Sequence, residues 1–198
     1  ADSNIGIGVD AGEKITTSDA NICIGHQSGN GITTANSNVI VGTLASSTTN
    51  GSLDGGSLNV IIGFKAGYLG AAAKTKVQSV CIGSEAGSAS AGTGNNFIGT
   101  STGNNASGSY NIAIGSLAGD AGMTGADNLL IGRSAGTEVI AGANNICLGS
   151  LAGDAIISGS NNICIGYSAD VNAEDAVNRV IISPVAATVD ADNTTLFK

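Results

Sequence analysis

Charge is scarce in this chain. Asp, Glu, Lys and Arg make up 11% of its 198 residues, against roughly 25% in an ordinary soluble domain. The seven Lys and Arg are scattered and the formal net charge is −8. A nucleic-acid surface needs clustered cations, so no DNA or RNA partner is expected; the charge is better suited to keeping a long particle soluble. Trp is absent, and Phe and Tyr number three each. A core must therefore be built from Ile, Val, Leu, Ala and Cys. No run of 18 apolar residues occurs, so no bilayer-spanning helix and no membrane insertion are expected. No basic segment followed by an apolar run opens the chain, so no signal peptide is visible.

What the chain does have is glycine, 31 residues, about twice the usual share, and an internal repeat. Asn4-Ile5-Gly6-Ile7-Gly8 recurs as Asn21-Ile22-Cys23-Ile24-Gly25 and continues through Asn162-Ile163-Cys164-Ile165-Gly166. Ten copies occur, with closing glycines 17, 17, 21, 20, 16, 16, 17, 17 and 17 residues apart. An eleventh, Asn178-Arg179-Val180-Ile181-Ile182, lacks the glycine. Three aliphatic residues in a row are too few for a helix and suit a buried strand. The glycine ends the strand, and the opening Asn suits the turn into it. An Ala-Gly pair follows three residues after the motif glycine in six copies, as at 118–119 and 135–136. The stretch beyond it, with Ile15, Ile32, Met123, Ile140 or Ile157, reads as a second strand. The predicted architecture is all-β: a β-solenoid, or parallel β-roll, of about ten coils of 16–21 residues over 1–182. Residues 183–198, with the single proline Pro184 at their start, read as a tail or junction. At the inter-strand spacing the rod is on the order of 50 Å long.

Successive strand residues face opposite ways. We expect the first and third motif residues to fill the coil and the middle one to face outward. The middle positions hold Gly6, Cys23, Ile40, Ile61, Cys81, Phe97, Ala113, Leu130, Cys147 and Cys164. None is polar. Such a stripe on a thin solenoid marks an interface, and a strand apolar on both faces needs two covers. Cys23 to Cys164 of this set are therefore candidate oligomer contacts, and the partner is another copy of the chain.

The strand-Gly-x-x-Ala pattern resembles the head repeat of trimeric autotransporter adhesins. The longer form, Asn-Ile-x-Ile-Gly-x-x-Ala-Gly with a Ser-Gly-Ser-Asn-Asn connector at 158–162, is similar to repeats of phage and viral tail fibres. The resemblance spans about residues 3–170. It implies a homotrimer of left-handed parallel β-rolls with the motif strands beside the threefold axis, located outside the cell on a virion or cell surface. The expected function is a structural fibre segment that attaches to a host or cell surface. A bacterial surface adhesin or self-assembling filament is the alternative; a polysaccharide-degrading tailspike is a more distant one, for want of aromatic platforms. The first repeat begins at residue 3 without a polar cap, which fits a segment of a longer, head-to-tail fibre.

No catalytic, cofactor or metal site is expected. The four cysteines occupy one strand position, which suits small buried hydrophobes better than disulfides, and no Cys-x-x-Cys occurs. Gly6-Ile7-Gly8-Val9-Asp10-Ala11-Gly12 is a solenoid repeat rather than a dinucleotide loop, because no βαβ unit surrounds it. His26 reads as a solvated turn residue. The two longer coils, with their extra residues in 43–58 and 64–78, are the candidate binding loops. The second carries Lys65, Tyr68, Lys74 and Lys76, a set suited to an anionic cell-surface glycan.

Overall fold

A computed structural model describes residues 3–48, 56–68, 76–171 and 173–184, together with the backbone of strands 187–189 and 195–197. No helix occurs among the described residues. Twelve short strands form one parallel sheet, stacked in chain order. They are Ile5–Ile7, Ile22–Ile24, Val39–Val41, Val60–Ile62, Val80–Ile82 and Asn96–Ile98, then Ile112–Ile114, Leu129–Ile131, Ile146–Leu148, Ile163–Ile165, Val180–Ile182 and Thr195–Phe197. Equivalent residues are register partners throughout, as in Leu129↔Ile146, Leu130↔Cys147 and Ile131↔Leu148. The repeat thus folds as a β-solenoid with one motif per coil. Twelve strands at roughly 4.8 Å give a sheet about 53 Å long.

The sheet does not stop at 182. Thr195–Phe197 pairs in parallel with Val180–Ile182, and Ala187–Val189 pairs with Ala169–Val171. At least part of the expected tail is therefore a further coil without the sequence motif. The second limb also differs from expectation. Apart from that pair, among the described residues it forms ladder strands only at Lys76–Val77 with Gly92–Thr93. In most other described coils it is built of turns and bends.

Each coil is kept narrow by left-handed backbone positions at fixed places. In the coil that starts at Gly115 they include Leu117 (φ 62°), Gly119 (φ 59°) and Asp127 (φ 60°). An L-residue there costs roughly 1–2 kcal/mol. The cost at Leu117 is offset by a bond across coils, from its N–H to the Thr100 carbonyl at 3.0 Å. The turn into the strand uses the residue before the motif Asn, for example Ala20, Ser37 and Tyr110. The Asn itself is free for another task. Motif glycines stack directly on one another. A Cβ at Gly25 (φ 127°) would lie 2.8 Å from the Gly42 carbonyl carbon, so this column admits no side chain.

The interior is where the structure overturns the expected phase. The middle motif residues point into their own coil: Cys23, Cys81, Phe97, Ala113, Leu130, Cys147 and Cys164 are 0% exposed, and Ile40 and Ile61 are buried with them. The first and third residues point outward. Facing the middle residues across the coil are Ile32, Ser90, Ala106, Met123, Val139 and Ile156, all buried. On the last coils the buried residues are Val139 and Ile156 rather than the expected Ile140 and Ile157. Volumes compensate across this narrow space: Gly6 is matched with Ile15 and Ala113 with Met123, whereas Phe97 is matched with Ala106. The Ala-Gly glycines line the same space. At Gly119 a Cβ would come within 2.8 Å of Met123 Cε and 3.0 Å of Leu130 Cδ1.

The motif asparagines share the inward face with the middle residues. Asn21, Asn111, Asn145 and Asn162 are 0% exposed. They survive burial because they bond to one another along the rod. Asn128 Oδ1 accepts from Asn145 N at 3.0 Å and from Asn145 Nδ2 at 3.1 Å. Asn128 Nδ2 donates to Asn111 Oδ1 at 3.0 Å and to the Gly142 carbonyl at 2.9 Å. The pattern runs from Asn4 to Asn162, passes through Ser79, and ends with the Arg179 backbone N–H on Asn162 Oδ1. Asparagines such as Asn21, Asn59, Asn128 and Asn145 therefore tie their own strand to the next coil and to the opposite limb of their own coil.

Candidate functional site

The outward side of the motif sheet carries the most unusual chemistry. Its first-position residues are Ile5, Ile22, Val39, Val60, Val80, Asn96, Ile112, Leu129, Ile146, Ile163 and Val180. Each third position, from Ile7 to Ile182, is likewise Ile, Val or Leu. Asn96 is the single polar residue in these two rows. Stacking covers their sides but not their tips: Ile62, Ile98 and Ile131 remain 36–37% exposed, and Ile7 at the first coil 57%. Cys23, Ile40, Ile61, Cys81, Phe97, Ala113, Leu130, Cys147 and Cys164, expected on this surface, are instead core residues of a single chain. The apolar outward stripe exists, and its members are the neighbours of the residues first assigned to it.

All four cysteines are buried free thiols. Cys147 and Cys164 are direct register partners on adjacent strands. A hydrogen bond with Cys164 and then burial push the Cys147 thiol well above its usual range. Burial raises Cys23 to about 11, and Cys81 to about 11 despite the opposing charge of Lys76. Thiol reagents attack the thiolate. We expect all four to stay unlabelled by a maleimide in native protein and to react together on unfolding. Stoichiometric labelling of the native protein, read by intact mass, would contradict this placement.

The expected binding loop is only partly assembled. Lys65 and Tyr68 are half-buried at the surface, with Lys65 Nζ 5.3 Å from the Phe64 ring centroid and 5.8 Å from that of Tyr68. Both distances fall within cation–π range. Lys74 lies outside the described residues. Lys76 is not a surface cation: it is 3% exposed, and its Nζ donates to the Gly67 carbonyl at 3.4 Å inside the coil. Beside it is a pore of about 10 Å³, lined also by Asn38, Ser46 and Asn59, enough for roughly one water. Lysine is rarely buried, which is why composition misplaced it. Position within the repeat would have found it. Lys76 stands three residues before the ladder residue Ser79, as Ala35, Gly92, Gly108, Gly125, Gly142 and Gly159 stand before theirs. Its carbonyl receives Asn59 Nδ2 at 3.0 Å, as those of Ala35, Gly108 and Gly142 receive their asparagines.

His26 is exposed on its turn, as expected. No group of three or more His, Cys, Asp or Glu that could hold a metal occurs among the described residues. Two aspartates have raised pKa values. Burial lifts Asp170 to about 6, with Asp154 nearby adding to the effect, although the Ala155 and Val171 backbone N–H groups each donate to it at 2.8 Å. Burial and, secondarily, Glu85 raise Asp120, against an opposing bond from Asn104. Raised folded-state values mean that the fold binds these protons more tightly than the unfolded chain does. For Asp170 the stabilising contribution is complete below about pH 4 and is lost as pH rises through about 6, and that of Asp120 is lost in the same direction. The melting temperature should therefore be higher near pH 4.5 than near pH 7 as far as these groups decide it. Thermal scans of Asp170→Asn should show a flatter profile in that window; an unchanged slope would remove Asp170 from the account.

The chain matches no family model, no curated protein and no solved structure.

Proposed function

We propose that the chain is a structural fibre segment that assembles as a homotrimer through its outward aliphatic face and presents its flanks for attachment to a cell surface. The observation that carries this reading is the aliphatic stripe, two residues wide and eleven strands long and interrupted by Asn96 alone, on the outside of a coil whose interior is already filled. Single aliphatic residues on a surface are ordinary, but a contiguous stripe marks an interaction site. A second copy of the same chain presents the same stripe at the same 4.8 Å-class repeat, so identical faces pack with matched spacing along their whole length. The resemblance to trimeric adhesin heads and tail fibres supports three copies, placed outside the cell. The placement of the threefold axis beside the motif strands is compatible with the outward rows, once those rows replace the middle residues as the contacts.

Light scattering in line with gel filtration tests the assembly. We expect a particle of three chains, each of 19.1 kDa, that persists on dilution. A soluble, folded single chain would overturn the proposal. Attachment is tested separately, by retention of fluorescently labelled trimer on a panel of bacterial cells.

A further inference from the structure

The flank beside the motif sheet contains a cleft of about 310 Å³ that crosses four coils, a volume at the lower end for small-ligand sites. Its floor follows one repeat position, five residues after the motif glycine, which holds Glu13, Asn30, Ser47 and Tyr68 in successive coils. Lys14 and Thr48 come from the next position along, and Gln27 and Leu44 from the turn position two residues after the glycine. Tyr68 lines the cleft at the last of the four coils. In later coils the same position is Ser88, Asn104, Asp120, Thr137 and Asp154, so this column carries an aromatic ring at Tyr68 alone.

The chemistry of the lining selects the ligand class. An aromatic face beside amide, hydroxyl and carboxylate groups suits a molecule with apolar ring faces and a hydroxyl rim. The amide groups are held loosely: Asn30 Nδ2 to Glu13 Oε2 and Gln27 Nε2 to Asp10 Oδ2 are both 3.4 Å, at the weak end of hydrogen bonding, and re-pointing them toward a ligand costs little. Charge decides between neutral and anionic ligands. Glu13 and Lys14 cancel within the cleft, Asp10 beside Gln27 offsets Lys65 beside the Tyr68 ring, Lys76 is buried elsewhere, and the whole chain carries −8, which repels polyanions. We propose that this cleft is a subsite for a neutral saccharide, with Tyr68 as the stacking platform and Glu13, Gln27 and Asn30 as hydroxyl partners. The inference deepens the attachment reading given above and rests on it. Repetition of the cleft in each copy of the assembly lets weak single contacts add through avidity.

The test uses the full chain in its assembled state. Probes are neutral trisaccharides built from hexose, deoxyhexose and N-acetylhexosamine units, with sialyllactose and a heparin fragment as anionic comparators, titrated by saturation-transfer NMR and calorimetry. We expect saturable binding of at least one neutral probe. Tyr68→Ala should weaken it by about tenfold, the loss typical of an aromatic anchor, and Tyr68→Phe should restore it to within about threefold. Tyr167→Ala, which removes a 55% exposed ring outside the cleft, should leave it unchanged. Absence of binding by every neutral probe, binding of anionic probes alone, or indifference to Tyr68→Ala would each overturn the assignment. Cell retention separates the two readings. A fibre that adheres without binding neutral sugar sinks the cleft and keeps the attachment reading. A fibre that binds sugar but no cell does the opposite.

Discussion

Ile131→Glu should leave each chain folded and take the assembly apart. In one chain the Ile131 side chain is 37% exposed, so a glutamate there can turn its carboxylate to water at small cost. Within the proposed trimer the same position faces its own copies. Three carboxylates would then be brought together where water is excluded, and burying an unpaired charge costs several kcal/mol. Each 1.4 kcal/mol is tenfold in association, so the expected loss is on the order of a thousandfold or more. Light scattering should report the single-chain mass, while far-ultraviolet circular dichroism keeps its β signal. Ile131→Val, which keeps the surface aliphatic, should remain assembled. Persistence of the trimer in the glutamate variant would show that this stripe is not the interface. The comparison also separates the two faces of the strand, because a charge at the neighbouring Leu130, 0% exposed within its own coil, should unfold the chain rather than dissociate it.

A second large effect is expected on the inside. Asn128 makes or receives bonds at Asn111, Gly142 and Asn145, including the backbone N–H of Asn145. Asn128→Leu keeps a similar size but removes all of them. A buried polar group left unsatisfied costs about 1–3 kcal/mol, and at least two such groups, Asn145 N–H and the Gly142 carbonyl, would lose this partner. The expected loss is about 3–6 kcal/mol, comparable to much of a domain's stability. Asn128→Asp is a sharper probe. A carboxylate would place an acceptor against the Asn111 Oδ1 and Gly142 carbonyl acceptors, so this position requires the protonated acid. The folded-state pKa of the new group would be raised. The variant should therefore be most stable at acid pH, and its stability should fall as pH rises through that raised value. Urea titrations at several pH values would show this. A variant as stable as the parent at neutral pH would mean that the asparagine column does not hold the coils together.

The asparagine column also explains why the strand's phase could not be read correctly from pattern. Alternation establishes that Asn128 and Leu130 share a face and that Leu129 and Ile131 share the other. It does not say which face is inside. Giving the inside to the face with two aliphatic residues per strand turns Cys23, Phe97 and Cys147 outward. That assignment fails because the inward face also takes the polar Asn, whose side chain bonds to its counterpart one coil away, a partner that exists only once the coils are stacked. One signal of the true phase was present in the chain. The middle position varies from glycine to phenylalanine, and its size is balanced about nine residues later, as in Gly6 with Ile15 and Phe97 with Ala106. Compensation of that kind belongs to a closed interior of fixed volume.

What the amino-acid order determined on its own is the coil. Regular spacing of the motif specifies parallel strands in register, the columns of equivalent residues, and a glycine column whose crowding tolerates no Cβ. Those are local or nearest-neighbour properties, and a repeat states them many times over. The tertiary structure alone decided which rows face water, that Lys76 lies inside, that Thr195–Phe197 continues a sheet whose motif has ended, and that Tyr68 lines a cleft with residues 20 to 55 positions earlier in the chain. Each of these depends on what stands one coil above, one coil below or across the interior. Burial and hydrogen-bond satisfaction are properties of that surrounding, not of the residue.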